Sequence, residues 1–365
     1  MSDTNFYSLK IVDVQPETDQ AVCISFEVPT HLKAAFTFAA GQFLTLQEKI
    51  DGETVHRAYS ICSGIDEKYL SVGIKRVKNG KFSNYANDQL KIGDTLNVMP
   101  PQGDFKPQLD AANKKNYMCL AVGSGITPIL SIIKSILASE PDSQVSLVYG
   151  NTRSNTVMFK EALSFLKNRY MARFNWINIM SQEDQGADVL KGRINNAKGL
   201  MLHNQKLINI HKTDQVFICG PEAMISEVSR GFRHEGLTKE QINYELFAAS
   251  AADASAILEK AQMRIHEYGE DKVSKVTVIS DDRSLNFELA TVGANILDAG
   301  MENGMELPYS CKAGVCSTCK CKVIKGRVDM DISHGLEQHE IDDGFILSCQ
   351  AHPVSDEVIV SFDER

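Results

Sequence analysis

The C-terminal stretch LPYSCKAGVCSTCKCKV, residues 307–323, decides the fold of the last part of the chain. Cys311, Cys316 and Cys319 stand in it as C-x4-C-x2-C, and Cys349 follows after a further 29 residues. Three soft thiolates on one short loop can wrap one side of a metal cluster, while a distant segment brings the fourth. The residues between the ligands are small, so backbone N–H groups can turn inward towards the cluster.

Three chemistries compete for these cysteines. The spacing is that of plant-type 2Fe–2S sites. A structural zinc site usually pairs two C-x2-C units, and the sequence has one such pair. Disulfides are disfavoured because nine cysteines without a secretion signal are typical of a reducing compartment. We therefore predict that a 2Fe–2S cluster is bound by four thiolates, those of Cys311, Cys316, Cys319 and Cys349.

The length and composition indicate a multidomain globular protein. A chain of 365 residues, 43% hydrophobic and 23% charged, exceeds one ordinary core and predicts two or three domains. The N-terminus lacks a basic start followed by an apolar run, so we expect no signal peptide and a cytoplasmic location. The most apolar stretch, residues 117–137, is interrupted by glycine, proline and lysine, so we expect no membrane span.

The negative charge is concentrated in the C-terminal part. Residues 273–365 contain 8 Lys and Arg against 16 Asp and Glu, a net charge of −8 out of −9 for the whole chain. An acidic module on a nearly neutral body argues against nucleic acid and favours docking on a basic protein surface. Solubility alone would explain the same charge, and the sequence leaves both explanations open.

The periodicity divides the chain into segments. Residues 1–110 alternate like strands between recurring turn signals, which predicts an antiparallel β-barrel. Residues 111–247 alternate apolar strands with helical segments, which predicts an α/β domain with a parallel sheet. Residues 248–272 are expected to form a linker with a short helix within 257–269, and residues 273–365 form the last domain.

The first barrel motif is Arg57-Ala58-Tyr59-Ser60. On the last strand of a barrel, this pattern can place Tyr59 flat against an isoalloxazine ring, with Arg57 on a flavin phosphate. The Ser60 hydroxyl would then lie near the flavin N5. Ser83, in GKFSNYAND, and the N–H groups that open a helix there could bind the flavin pyrophosphate.

The second motif, residues 123–128, follows a buried strand and opens a helix. Glycines there allow the backbone to approach a dinucleotide pyrophosphate, and proline suits a first helical turn. The pattern differs from the ordinary G-x-G-x-x-G fingerprint. At the end of a later strand of the same sheet stand Cys219, Gly220 and Pro221. The predicted nucleotide-binding residues of the first loop are Gly123, Ser124, Gly125, Thr127 and Pro128.

These motifs, in this order, resemble the ferredoxin–NADP reductase superfamily fused to a C-terminal plant-type ferredoxin. The resemblance rests on YSIC, AVGSGITPIL, LVYGN, FICGPEAM, the cysteine loop and ILSCQA, and covers essentially the whole chain. Within that superfamily the motifs are most similar to those of the reductase subunits of phenylacetyl-CoA epoxidases. The resemblance implies a β-grasp fold for the last domain, bound FAD and NADPH, and a di-iron oxygenase as electron acceptor.

The resemblance also implies roles for individual residues. Cys219 would lie beside the nicotinamide, and Glu245 and Phe247 would close the interface with the flavin. Arg153 and Ser154, after the YGN strand, would contact the 2′-phosphate of NADPH, with NADH as the alternative donor. The expected catalytic residues are Ser60, Cys219 and Glu245.

We therefore predict an electron-transfer enzyme that passes electrons from NADPH through FAD and the 2Fe–2S cluster to a separate di-iron oxygenase, through the acidic ferredoxin domain. The protein is expected to be a monomer on its own. One alternative is the reductase of another hydroxylase or of a fatty-acid desaturase. The other is a redox-sensing module that does not turn over, which would not need both nucleotide sites.

Overall fold

The structure is a computed structural model that describes residues 6–77, 80–246, 251–281, 283–308, 314, 319–333 and 335–364. These residues form two compact units. The first comprises residues 6–76 and 80–245, and the second comprises Val77 and the described residues from 246 to 364. No helix in these ranges is long and apolar enough to cross a membrane.

The N-terminal half of the first unit is an antiparallel barrel. Its strands lie in the order β4-β3-β6-β1-β2-β5. A bridge between Ile61, just after β4, and Val72 of β5 joins the two edge strands. The elements are β1 (Tyr7–Thr18), β2 (Ala21–Glu27), β3 (Phe43–Ile50), β4 (Glu53–Ser60), β5 (Leu70–Lys75), α1 (Lys81–Asp88) and β6 (Thr95–Val98). Alternate strand residues point inward and form a closed apolar core that includes Leu9, Ile24, Phe26, Leu44 and Val98.

The second half of this unit is an α/β domain. Its sheet has the order β11-β10-β7-β8-β9, and strands β10, β7, β8 and β9 are parallel. Both faces of α2 are largely buried, which explains its almost continuous apolar sequence. The elements are β7 (Asn116–Val122), α2 (Ile126–Ser139), β8 (Gln144–Asn151), α3 (Lys160–Arg169), β9 (Phe174–Met180), α4 (Asn196–Asn204), β10 (Gln215–Gly220), α5 (Glu222–His234) and β11 (Ile242–Leu246).

The second unit is an α+β domain. Its main sheet, β13-β12-β18-β14-β16, is mixed: β12 and β18 run parallel, and the other pairs are antiparallel. Strands β15 and β17 form a separate antiparallel pair. The elements are α6 (Ala251–Tyr268), β12 (Val273–Ser280), β13 (Arg283–Ala290), α7 (Ile296–Glu302), β14 (Lys320–Lys325), β15 (Val328–Met330), α8 (Gln338–Asp342), β16 (Phe345–Leu347), β17 (Ala351–Pro353) and β18 (Glu357–Ser361). The barrel, the parallel sheet and this mixed sheet confirm the predicted fold class.

Helix α6 covers much of the expected linker and is longer than the short helix predicted there. Its Arg264 side chain is 2% exposed and donates from Nη1 to Asp331 Oδ1 at 2.6 Å and to Asp329 Oδ2 at 2.7 Å. His352 Nε2 lies 2.9 Å from the second oxygen of Asp331, and both side chains are buried. We call these four residues the Arg264 cluster. It anchors α6 to the strands of the second unit.

Candidate functional site

Two of the predicted catalytic side chains meet where the barrel and the parallel sheet join. Ser60, the last residue of β4, is 5% exposed, and its Oγ donates to Glu245 Oε2 on β11 at 3.4 Å. Burial raises the pKa of Glu245 to about 7, although the Ser60 hydrogen bond opposes the shift. The carboxyl group therefore changes protonation near neutral pH.

The third predicted catalytic residue, Cys219, lies near the end of β10 and is fully buried. Burial raises the pKa of its thiol well above the usual range, and the nearby charge of Glu245 adds to the effect. The thiol is therefore neutral and serves as a small apolar surface. The structure thus brings Ser60, Glu245 and Cys219 together. Phe247 lies outside the described residues.

The predicted flavin-binding residues lie on β4 and α1. Arg57 and Tyr59 are two residues apart on β4 and so share one face of the strand. The Tyr59 ring is half-buried against Phe82 of α1, with a centroid distance of 5.6 Å and an interplanar angle of 40°. Ser83, the next residue, is 5% exposed and donates to Gly80 O at 3.5 Å. These residues thus line adjacent elements of the barrel.

The glycine loop packs against the backbone of the Cys219 segment. Gly123–Gly125 form a single 3-10 turn between β7 and α2. A Cβ on Gly125 would lie 2.3 Å from the carbonyl oxygen of Cys219, so only glycine permits this approach. Thr127 Oγ1 donates to Ser124 O at 3.0 Å and closes the turn.

The remaining predicted nucleotide residues flank this contact. Pro128 lies in the first turn of α2, where its missing N–H costs nothing. Gly220 ends β10, and a Cβ there would lie 2.6 Å from Met224 Cε. Pro221 precedes α5. Both loops therefore lie at the carboxyl ends of parallel strands, where ligands bind in open α/β sheets.

Two residues beside the glycine loop escaped the sequence interpretation. Lys75 ends β5, and its Nζ lies 3.6 Å from the position a Cβ on Gly123 would take. Its side chain retains solvent-exposed surface, yet the surrounding protein atoms lower its pKa by desolvation. Tyr149 donates from its hydroxyl to Gly123 O at 2.9 Å and fixes the loop. A lysine at a strand end looks like any solvated residue, so the sequence carried no specific signal for Lys75.

Arg153 and Ser154 follow β8 directly. Ser154 begins a 3-10 turn that ends at Thr156, and Thr156 Oγ1 donates to Arg153 O at 2.7 Å. The Ser154 N–H donates to Glu183 Oε2 at 2.7 Å. Glu183 comes from the segment after β9 and was not among the predicted site residues.

Two of the four predicted cluster ligands are described, and they lie together. Cys319 and Cys349 are 1% and 3% exposed and share a hydrogen bond. That bond lowers the pKa of Cys319 to about 7, with further help from Ser348. A thiol that loses its proton this readily suits a metal ligand. Cys311 and Cys316 lie outside the described residues.

Gly314 connects the cysteine loop to Cys349. It lies between Cys311 and Cys316 in the sequence, and its N–H donates to the Cys349 sulfur. Its φ is +69°, and a Cβ would lie 2.6 Å from Ile332 Cγ2, so glycine is required on two grounds. A backbone N–H aimed at a ligand sulfur is the environment expected for a 2Fe–2S cluster, so the described residues fit that group.

Three sequence-family models match the chain in succession. Residues 8–106 match an oxidoreductase FAD-binding domain, residues 119–230 an oxidoreductase NAD-binding domain, and residues 279–354 a 2Fe-2S iron-sulfur cluster binding domain. The predicted cofactors, a flavin, a pyridine nucleotide and an iron–sulfur cluster, are thereby confirmed as classes.

Two relatives cover nearly the whole chain. One component protein of the 1,2-phenylacetyl-CoA epoxidase from Escherichia coli is 41% identical over 362 residues, 99% of each chain. The ferredoxin reductase component of 3-ketosteroid-9-alpha-monooxygenase from Mycobacterium tuberculosis is 32% identical over 365 residues, 98% of this chain and 96% of its own. Among solved structures, phthalate dioxygenase reductase matches 98% of both chains with a TM-score of 0.52 and 20% identity, which supports the fold.

Proposed function

The chain belongs to the ferredoxin–NADP reductase superfamily, in the branch with a C-terminal 2Fe–2S domain, and on that premise we propose that it carries electrons from NADPH to a di-iron oxygenase. It is a flavin and iron–sulfur oxidoreductase of the kind that serves oxygenase systems. The proposed acceptor is the phenylacetyl-CoA epoxidase of aerobic phenylacetate degradation.

The meeting of Ser60 with Glu245 is the observation that carries the proposed chemistry. One side chain comes from the barrel and the other from the parallel sheet, 185 residues apart, and their 3.4 Å contact lies beside the buried Cys219. A nucleotide bound at the glycine loop and a flavin bound along Tyr59 would meet at this junction. The choice of acceptor is supported by the 41% identity over nearly the full length of both chains.

We assign the following tasks to the chain's own residues. Arg57 and Ser83 hold the flavin phosphates, and Tyr59 supports the ring. Glu245, with a pKa of about 7, holds a proton that it can exchange through Ser60 Oγ near neutral pH. When bound, FAD accepts electrons in pairs from the nucleotide and releases them singly.

The second unit provides the outlet for single electrons. We propose that Cys311 and Cys316 complete the ligand set whose other members, Cys319 and Cys349, lie together and buried. The Gly314 N–H supports the sulfur of Cys349. The net charge of −8 on residues 273–365 is available to attract a basic acceptor surface.

The decisive experiment is reconstitution. The purified protein is expected to contain FAD and two irons, and to support NADPH-dependent turnover of a purified phenylacetyl-CoA epoxidase. A 3-ketosteroid-9-alpha-monooxygenase oxygenase serves as the comparison acceptor, because its reductase component is 32% identical to this chain. Turnover with the comparison acceptor alone would reject the proposed partner. Bound zinc instead of iron, or no reduction of any acceptor, would reject the electron-transfer role itself.

Salt provides a second arm of the same experiment. Raising salt from about 0.05 to 0.5 M shortens the Debye length from above ~10 Å to below ~5 Å. Turnover with the cognate oxygenase should therefore fall, while flavin reduction at saturating nucleotide should change less. Turnover that does not respond to salt would show that the acidic surface contributes to solubility and not to docking.

A further inference from the structure

An acidic side chain occupies the loop that would recognise the adenosine ribose of the nucleotide. Strands β8 and β9 are parallel, and their pairing continues beyond their carboxyl ends, where the Gln182 N–H donates to Thr152 O at 2.9 Å. This continuation brings Glu183 opposite Ser154. The position is determined by backbone pairing and does not depend on the side chains alone.

Glu183 has accepted the donors of that loop. Its Oε2 receives the Ser154 N–H at 2.7 Å, and the Ser154 hydroxyl also bonds to the carboxylate. These bonds, together with the charges of Arg153 and Lys160, hold the pKa of Glu183 below its usual range. The carboxylate is therefore ionised at neutral pH.

The same groups are those that would bind a phosphate monoester. A backbone N–H, a hydroxyl and a guanidinium form charge-assisted hydrogen bonds with phosphate oxygens as readily as with a carboxylate. A 2′-phosphate entering this loop must displace Glu183 or tolerate its charge. A 2′-hydroxyl, by contrast, can donate a hydrogen bond to a carboxylate, as acidic residues do in other dinucleotide-binding sheets.

We propose that Glu183 is a specificity-determining residue that competes with the 2′-phosphate of NADPH for the Arg153–Ser154 loop and thereby keeps NADH usable as a donor. The proposal rests on the nucleotide site proposed above. It assigns the preference between the two donors to a competition within the loop, so Arg153 alone does not set it. A carboxylate that only braced the loop would affect both nucleotides equally.

The test measures binding to the oxidised, flavin-loaded protein and does not depend on turnover. Glu183→Gln keeps the size of the side chain and removes its charge. NADP⁺ and 2′-phospho-AMP should each bind about 10-fold more tightly to this variant, a change of ~1.4 kcal/mol, as measured by titration calorimetry. The affinity for NAD⁺ should stay the same or fall.

Asp184→Asn is the matched control. Asp184 is the next residue, is exposed, and uses Oδ1 to accept from the N–H of Gly186 within its own turn. The control removes the same net charge without touching Ser154 and should leave the NADP⁺ to NAD⁺ ratio unchanged. An equal gain in both variants would mean general electrostatics and would overturn the proposal.

A double variant tests the competition directly. Arg153→Ala should weaken NADP⁺ binding more in the Glu183→Gln background than in the wild type, because the guanidinium is then no longer engaged by the carboxylate. Additive effects would refute the proposal. If the wild type bound none of these nucleotides, the proposed nucleotide site itself would have failed, and that outcome is distinct from an unchanged ratio.

Discussion

Replacing Arg264 by methionine should destabilise the second unit and leave the first unit intact. Methionine keeps much of the apolar stem but removes the guanidinium. The Asp331 carboxylate, 3% exposed, then loses its 2.6 Å partner and retains His352 at 2.9 Å. A buried charge without its partner is the costly outcome of such a change.

The magnitude follows from the burial of the two ion pairs. Breaking a buried pair by removing one partner costs ~3–5 kcal/mol. The second pair involves Asp329, which is 38% exposed, and adds at most ~1 kcal/mol. With a urea dependence of ~2 kcal/mol per molar, the apparent midpoint should fall by about 2 M.

The two units can be followed by separate probes. The single tryptophan, Trp176, lies on β9 in the first unit, so its fluorescence reports that unit. Visible circular dichroism of the cluster reports the second. Because cluster release is irreversible, all variants should be compared at one incubation time. We expect the cluster transition to shift and the Trp176 transition to stay in place.

Met263 offers a matched control on the same helix. It is 64% exposed, so Met263→Ala should change stability by less than ~0.5 kcal/mol. The effect of Arg264→Met should also shrink in acid. The pKa of Asp331 is lowered in the folded protein, where its bonds to His352 and Arg264 outweigh desolvation, so its stabilising contribution is lost as pH falls through that lowered value. A cluster midpoint that matched the Met263→Ala control, or one that moved together with the Trp176 signal, would refute the reasoning.

Three further predictions concern the site. Glu245→Gln should abolish an apparent pKa near 7 in the rate of flavin reduction, measured by stopped flow, and the variant should not lose stability relative to the wild type as pH rises from about 4.5 to 7; in the wild type the raised carboxyl pKa makes the folded state less stable over that interval. An unchanged pH profile would remove Glu245 from the proton path. Cys349→Ser should abolish cytochrome c reduction while flavin-dependent ferricyanide reduction persists, because serine is a poor substitute for a thiolate ligand; equal loss of both would contradict a separate outlet. Gly125→Ala should lower kcat/KM for the nucleotide about 10-fold or more, since its Cβ would lie 2.3 Å from Cys219 O, an overpacking of ~1–3 kcal/mol; wild-type kinetics would show that the loop can shift freely.

The sequence alone predicts those parts of the molecule that depend on local pattern. Strand alternation in residues 7–98 and the alternating apolar strands from Asn116 onward recover the barrel and the parallel sheet, because side-chain periodicity reflects burial directly. The loop motifs also direct attention to Ser60 and Cys219. The functional roles given to these residues remain predictions.

The features that the sequence did not reveal depend on contacts between distant residues. Glu183 meets Ser154 only because β9 runs beside β8, and Lys75 reaches the glycine loop only through the packing of the barrel. Helix α6 has a weakly patterned sequence, and its buried Arg264 has partners that come more than 60 residues later. A charged residue on such a helix reads as solvated until its partners are located.

The position of β11 has a consequence for biogenesis. The first unit is complete once Glu245 has been synthesised, and every predicted cluster ligand comes later in the chain. Because domains generally fold as units during synthesis, N-terminal first, the contact between Ser60 and Glu245 can form before any of those cysteines has been translated. Flavin capture then precedes iron insertion. A cell starved of iron would accumulate flavin-loaded chains that consume nucleotide without delivering electrons to their partner.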